Sequence, residues 1–355
     1  ILNVTVVEAD TFDVALQLDN GRSPSVGSFR RGAILSYGNL FGLGDRVSIG
    51  YANTDGSDSL DASYRLPLNA TGGTLTADVG FTDSEVIEDP FNFLDIQSRS
   101  RFYELTYRQP VIRTPEQELA FSVTASRRES ESEFLEDILG EPLPFPTLGA
   151  DEDGRTRISA LRFAQEWTQQ GTGQVFAARS QFSLGLGSFD ATISNDGPDS
   201  RFFAWRGQAQ WVRLLSADTL LLVRGDIQLA ADSLVPLEQF GLGGPQTVRG
   251  YRQNALLTDS GVLFSSEIRL PVLRVPEVDG LLQVIPFVDL GHGWNVSTPD
   301  PAQPTLVTLG LGALWQMGDR FNTRLDIGIP LVDIGNEGSS LQDSGIHFTL
   351  DYRLF

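Results

Sequence analysis

The chain has 355 residues, with 26 Lys and Arg against 46 Asp and Glu, a formal net charge of −20. That balance argues against nucleic acid, whose binding needs a basic footprint. Cysteine is absent and the only histidines are His292 and His347, so disulfides and thiolate metal sites are excluded and zinc or triad chemistry is starved of ligands.

No run of eighteen apolar residues occurs, so no membrane-spanning helix is expected. Residue 1 opens mid-strand, so a signal peptide is expected to have been processed off or the sequence to be a fragment. Residues 1–10 read as the closing strand of a preceding domain or as a linker. From residue 11 onward the dominant signal has period two. Phe12, Val14, Leu16 and Leu18 alternate with Asp13, Ala15, Gln17 and Asp19. The same habit persists to Phe348, Leu350, Tyr352 and Leu354 against His347, Thr349, Asp351 and Arg353. One face is apolar and the other polar, often charged.

About sixteen strands are expected, an even number, as in single-chain bacterial barrels. They fall near 11–20, 28–37, 45–53, 58–67, 74–82, 99–109, 117–128, 155–168, 174–187, 201–213, 219–230, 262–271, 282–290, 304–316, 320–330 and 345–354. Short connections alternate with long ones. Pro67, Pro110 and Pro271 lack a ladder donor and suit strand ends. The acidic stretch 129–153 reads as a solvated loop, as do 83–98, 291–303 and 331–344. This asymmetry suits an up-and-down transmembrane barrel with short periplasmic turns and long outer loops. Aromatics toward strand ends, among them Tyr37, Tyr103, Tyr107, Trp211 and Tyr352, suit interfacial girdles. A soluble two-sheet sandwich competes with this reading; it would bury the apolar face between the sheets.

The long connection 231–261 holds Gly241-Leu242-Gly243-Gly244-Pro245-Gln246-Thr247-Val248-Arg249-Gly250-Tyr251. Connections of this length are uncommon in compact chains and usually functional or disordered. Glycines permit a tight turn, after which Val248, Arg249, Gly250 and Tyr251 could fold back and deliver one charge to a chosen place.

This motif, with the strand Val262-Leu263-Phe264-Ser265-Ser266-Glu267-Ile268-Arg269 after it, resembles the sixth-loop signature of the outer-membrane polypeptide-transport superfamily. That group includes BamA-type insertases and the TpsB transporters of two-partner secretion, FhaC/ShlB-like. Residues 11–355 are similar to the TpsB barrel in strand count and order, while 1–10 would be a remnant of a periplasmic (POTRA) domain or linker. The resemblance implies that the loop folds inward as a plug, with Gly243, Gly244, Val248, Arg249, Gly250 and Tyr251 as its motif. It implies that Arg249 pairs with an aspartate two strands on, which here is Asp289. Phe287 shares its parity, and Glu267 and Arg269 extend the network from the intervening strand. The ending Asp351-Tyr352-Arg353-Leu354-Phe355 resembles a C-terminal barrel signal, displaced by one residue.

The resemblance implies an outer-membrane pore, in a Gram-negative-type cell or plastid relative, that exports a TpsA-like polypeptide. It would be a lipid-embedded monomer without cofactor or metal and would not be an enzyme. An insertase and a passive porin are the alternatives. His292, just past a strand end, is the one candidate base for a hydrolase. His347 reads as inward-facing with no special partner, and Asp151 and Asp153 could bind calcium weakly.

Overall fold

The computed structural model describes residues 11–194, 197–335 and 338–354. The expectations for residues 1–10 and for Phe355 lie outside them. Sixteen strands make one continuous wall. In chain order they are β1 (Phe12–Asp19), β2 (Arg30–Gly38), β3 (Arg46–Asn53), β4 (Ser57–Pro67), β5 (Thr74–Glu85), β6 (Gln97–Arg113) and β7 (Gln117–Phe134). After a two-residue strand β8 (Leu143–Pro144) come β9 (Arg155–Gly171), β10 (Gln174–Leu186), β11 (Phe203–Ser216) and β12 (Thr219–Ala230). A small ribbon, β13 (Phe240–Leu242) with β14 (Leu256–Thr258), precedes β15 (Ser260–Val275), β16 (Gly280–Trp294), β17 (Thr305–Met317), β18 (Phe321–Pro330) and β19 (Ile346–Arg353). Every neighbouring pair in the wall is antiparallel and β1 pairs with β19, so the sheet closes on itself.

The two faces follow the alternation in the sequence. On β7, Ser122, Thr124 and Ser126 are buried, whereas Val123 between them is 50 % exposed. On β16, Gln283, Ile285, Phe287 and Asp289 are buried and Leu290 is exposed. Large hydrophobics such as Leu35, Leu60, Leu105, Leu161, Leu309 and Ile327 cover the outer surface. Polar side chains turn inward. A soluble sandwich has the opposite arrangement, so that alternative is set aside. Among the described residues no helix is long and apolar enough to cross a membrane.

Three boundaries differ from the sequence reading, each for a physical reason. Pro110 and Pro271 do not end their strands; each sits at a register shift inside one, in β6 and β15. The residue left unpaired is the one after each proline, Val111 and Val272, so each proline borders a bulge where the ladder is locally disrupted and a missing N–H is tolerated. The acidic stretch from 129 begins as strand: β7 stays paired with β6 as far as Glu133, and Glu129, Glu131 and Glu133 take the outward parity of Val123. Their carboxylates meet Arg127, Arg155 and Arg99 at 2.9, 2.8 and 2.6 Å. Finally β16 runs on to Trp294, so His292 is a strand residue rather than a loop residue.

Wall strength is uneven. β6 and β7 are matched from Gln97↔Glu133 to Arg113↔Glu118. The closing pair β1–β19 is matched only from Ala15↔Arg353 to Asp19↔Thr349. Local opening follows such differences. In detergent, amides of β1 and β19 are expected to exchange roughly tenfold faster than those of central β6 and β7; mass-spectrometric exchange showing equal protection would contradict a weak seam.

Candidate functional site

The connection between β12 and β15 is not a free loop. Its stems pair as the ribbon of β13 and β14, with Phe240 opposite Thr258 and Leu242 opposite Leu256. Gly243 and Gly244 turn the chain with φ of 101° and 98°, angles that a side chain strongly disfavours. The tip is then closed by Gly244 N–H to the Tyr251 carbonyl at 3.1 Å and Thr247 Oγ1 to the Gly243 carbonyl at 2.8 Å. Phe240, Leu242, Val248, Tyr251 and Leu256 form one apolar cluster with Leu263 of β15 and Leu306 of β17. The segment therefore packs on the polar face of the wall, where it supplies five of the seven buried residues of this cluster.

Arg249 is 3 % exposed. Its Nε and Nη2 donate to the two oxygens of Asp289 at 2.7 and 2.8 Å, and its backbone N–H reaches the same carboxylate at 3.1 Å. Nη1 donates to Glu267 at 2.8 Å. The guanidinium carbon stands 3.6 Å above the Phe287 ring, a cation–π arrangement. Asp289 has no exposed surface and also accepts from Ser265 Oγ at 2.6 Å. The residues singled out in the sequence thus meet at one point: Arg249 with Asp289, Glu267 and Phe287. Arg269 joins through Glu267 at 3.0 Å.

Gly250 explains why its position tolerates no side chain. It has φ 92°, and a Cβ there would come within 3.0 Å of the Gly328 backbone on β18. Its N–H donates to His347 Nε2 at 3.1 Å. His347, on β19 and buried, therefore does have a partner, contrary to the sequence reading. Tyr251 places its hydroxyl 3.1 and 2.9 Å from the carbonyls of Val307 and Val332.

Several members of the cluster were not singled out. Arg324 of β18 donates to Glu267 at 2.8 Å and to Asp326 at 2.6 Å. With them the hydrogen-bonded cluster holds three carboxylates (Glu267, Asp289, Asp326) and three guanidinium groups (Arg249, Arg269, Arg324). The only available signal was parity, since Arg324 and Asp326 occupy the polar positions of their strand. Arg252, one residue beyond the motif, pairs with Asp343 in the β18–β19 connection and with Glu88 in the β5–β6 connection. All 26 basic residues of the chain are arginine; there is no lysine.

The other candidates carry no site. His292 shares the outer face of β16 with Leu290, and its Nδ1 lies 2.8 Å from Thr305 Oγ1. It is remote from the charge cluster. Asp151 accepts from Arg157 at 2.9 Å and from the Arg155 N–H, which occupies it as a local cap. Among the described residues no group of three or more His, Cys, Asp or Glu could hold a metal.

Comparison with known proteins adds three findings. The family model of the haemolysin secretion/activation proteins ShlB/FhaC/HecB matches residues 1–314. The outer membrane transporter CdiB of Dickeya dadantii (strain 3937) is 22 % identical over 318 residues, 86 % of this chain and 54 % of that protein. CdiB of Escherichia coli is 22 % identical over 329 residues, 89 % and 53 % respectively. The chain spans about half the length of these curated relatives. Among solved structures, CdiB from Escherichia coli superposes with a TM-score of 0.83 at 18 % identity, covering 99 % of this chain and 64 % of that one. BamA from Haemophilus ducreyi lacking POTRA domains 1-3 gives 0.64 at 13 %, covering 98 % and 71 %. Both likenesses concern the fold.

Removing one partner of a buried, hydrogen-bonded ion pair costs about 3–5 kcal/mol. Arg249→Ala is therefore expected to loosen residues 231–259 enough for rapid proteolysis of the folded protein. Arg249→Lys supplies the charge without the planar fork and should fall between Arg249→Ala and wild type. Wild-type protease resistance in Arg249→Ala would refute the assignment.

Proposed function

This chain belongs to the haemolysin secretion/activation family ShlB/FhaC/HecB, and from that premise we propose that it forms the outer-membrane pore through which a partner polypeptide passes from periplasm to cell surface. The apolar outer face meets lipid, and a closed barrel satisfies every backbone group there. A sixteen-strand barrel is wide enough for an aqueous channel. Residues 231–259 fold into that channel and plug it. Gly243, Gly244, Val248, Arg249, Gly250 and Tyr251 shape the plug, and Phe287, Asp289 and Glu267 anchor it. The observation that carries this reading is the burial of Arg249 between Asp289 and Glu267 on the polar face of the wall. The passenger would cross extended, drawn by its folding outside, and the barrel would act as a single chain because its own terminal strands close it.

The short β1–β19 seam favours a second reading, an insertase that opens sideways to admit nascent strands. The two differ in what they release. Cells carrying wild-type protein and a two-partner passenger are expected to place the passenger outside the cell, with Arg249→Ala and Asp289→Ala lowering that yield. Deletion of 240–256 should convert brief openings in planar bilayers into steady conductance. Normal export in both substitutions, or steady conductance already in wild type, would favour a passive porin.

The mouth carries its own titratable contact. Burial pushes the Asp343 carboxyl up, but Arg252 and the Ser340 hydroxyl and N–H outweigh it and hold it below the usual aspartate range. Folding lowers this pKa, so the contact is complete above the ordinary value of about 3.9 and fades only as pH falls below it. Openings should stay rare from pH 8 to about 5 and increase only below about pH 4. In Asp343→Asn they should be frequent throughout, and wild-type openings rising already at pH 6 would contradict this cause.

A further inference from the structure

Besides the contacts of Arg249 and Arg252, the segment 231–259 has a charged contact of opposite polarity. Glu238 precedes the ribbon, and its side chain is 7 % exposed. Arg162 of β9 grips it with both ends of its fork, Nη1 to Oε2 at 3.0 Å and Nη2 to Oε1 at 2.7 Å. Arg128 of β7 adds Nη1 to Oε1 at 3.4 Å and to the Leu237 carbonyl at 3.3 Å. Arg162 is itself fixed by Ser126 and Ser183 at 3.3 and 3.0 Å, so the fork is set before the carboxylate arrives. Gln228 of β12 donates to the carbonyls of both Glu238 and Asp259, at 3.0 and 3.1 Å, tying the two ends of the segment together. Beside this contact Leu234 and Val235 bury against Ile158, Ala160, Phe202 and Ala204.

The place of this contact in the wall matters. Following the strand order, β7 and β18 are eight steps apart in a ring of sixteen. The Arg249 cluster uses β15, β16 and β18, whereas Glu238 uses β7 and β9. One end of the segment brings a cation to carboxylates of β15 and β16, and the other brings a carboxylate to cations of β7 and β9. A polar cavity of about 420 Å³, lined in part by Arg108, Arg179 and Glu166, adjoins Glu238. Water can therefore reach the fork as the carboxylate leaves.

We propose that Glu238 is a further positioning residue of the plug, and that the segment leaves the channel only when the opposed contacts of Arg249 and Glu238 have both broken. This rests on the plug reading above. Breaking the Arg249 contact alone leaves the root held to β7 and β9; breaking the Glu238 contact alone leaves the tip held to β16.

The test uses the whole chain in planar bilayers, with heat-modifiable migration on gels confirming a folded barrel. Glu238→Gln keeps size and removes charge. It is expected to raise the fraction of time open roughly tenfold, the shift expected from losing one such contact. Glu238→Gln with Arg249→Ala should open further than either alone. The exchanged pair Glu238→Arg with Arg162→Glu should return the open fraction toward wild type, which a merely structural role for either residue would not produce. Should Glu238→Gln match wild type while Arg249→Ala opens the channel, the Glu238 hold is overturned and the plug survives. Should deletion of 240–256 leave conductance unchanged as well, the plug reading itself is overturned and this proposal with it.

Discussion

A fully buried carboxylate, that of Asp289, sets the terms for this molecule. Around its middle the wall presents its apolar side outward, and there charge is housed on the inner side. There the segment 231–259 shuts out much of the water that would otherwise solvate it. Arg249, Glu267, Asp289, Arg324 and Asp326 are each matched by another side chain at hydrogen-bond distance. Arg249 contributes a fork onto Asp289, a further bond to Glu267 and a face-on contact with Phe287. Arg324 and Arg269 also bond to Glu267. The segment and the wall thus share one ionic network, in which each supplies charges that the other meets.

Much of this was legible in the sequence because strand periodicity is local. A residue's face depends only on parity, so Asp289 and Phe287 could be assigned to one side without knowing the fold. Glu129, Glu131 and Glu133 follow a parity of their own strand as well, yet their charge suggested a solvated loop, and two of the arginines that pair with them lie on neighbouring strands, Arg99 on β6 and Arg155 on β9. Pro110 and Pro271 misled for a related reason: a bulge inside a strand and the end of a strand both relieve a missing N–H. His347 was placed on the correct face but without a partner. The Gly250 N–H that it accepts comes from 97 residues away. Glu238 with Arg162 and Arg128 escaped notice entirely. Contacts across a closed sheet depend on the offset between strands, which no local pattern reports.

Backbone approach also limits where the segment can lie. Gly250 rests directly on Gly328 of β18, and the Gly328 N–H is taken by the Gly345 carbonyl at 2.8 Å. Three glycines therefore let two stretches of main chain touch at the point where Arg249 enters the cluster. The charge pairing fixes direction, and this narrow approach fixes depth.

The absence of lysine gives the ionic framework a one-sided character. Guanidinium groups keep their protons at any pH a cell meets, whereas an ammonium group would surrender its own in strong alkali. Every cation in the network is thus permanent, and only the carboxylates can be discharged. Alkaline surroundings therefore leave these contacts intact, and acid is the sole direction from which they can be undone.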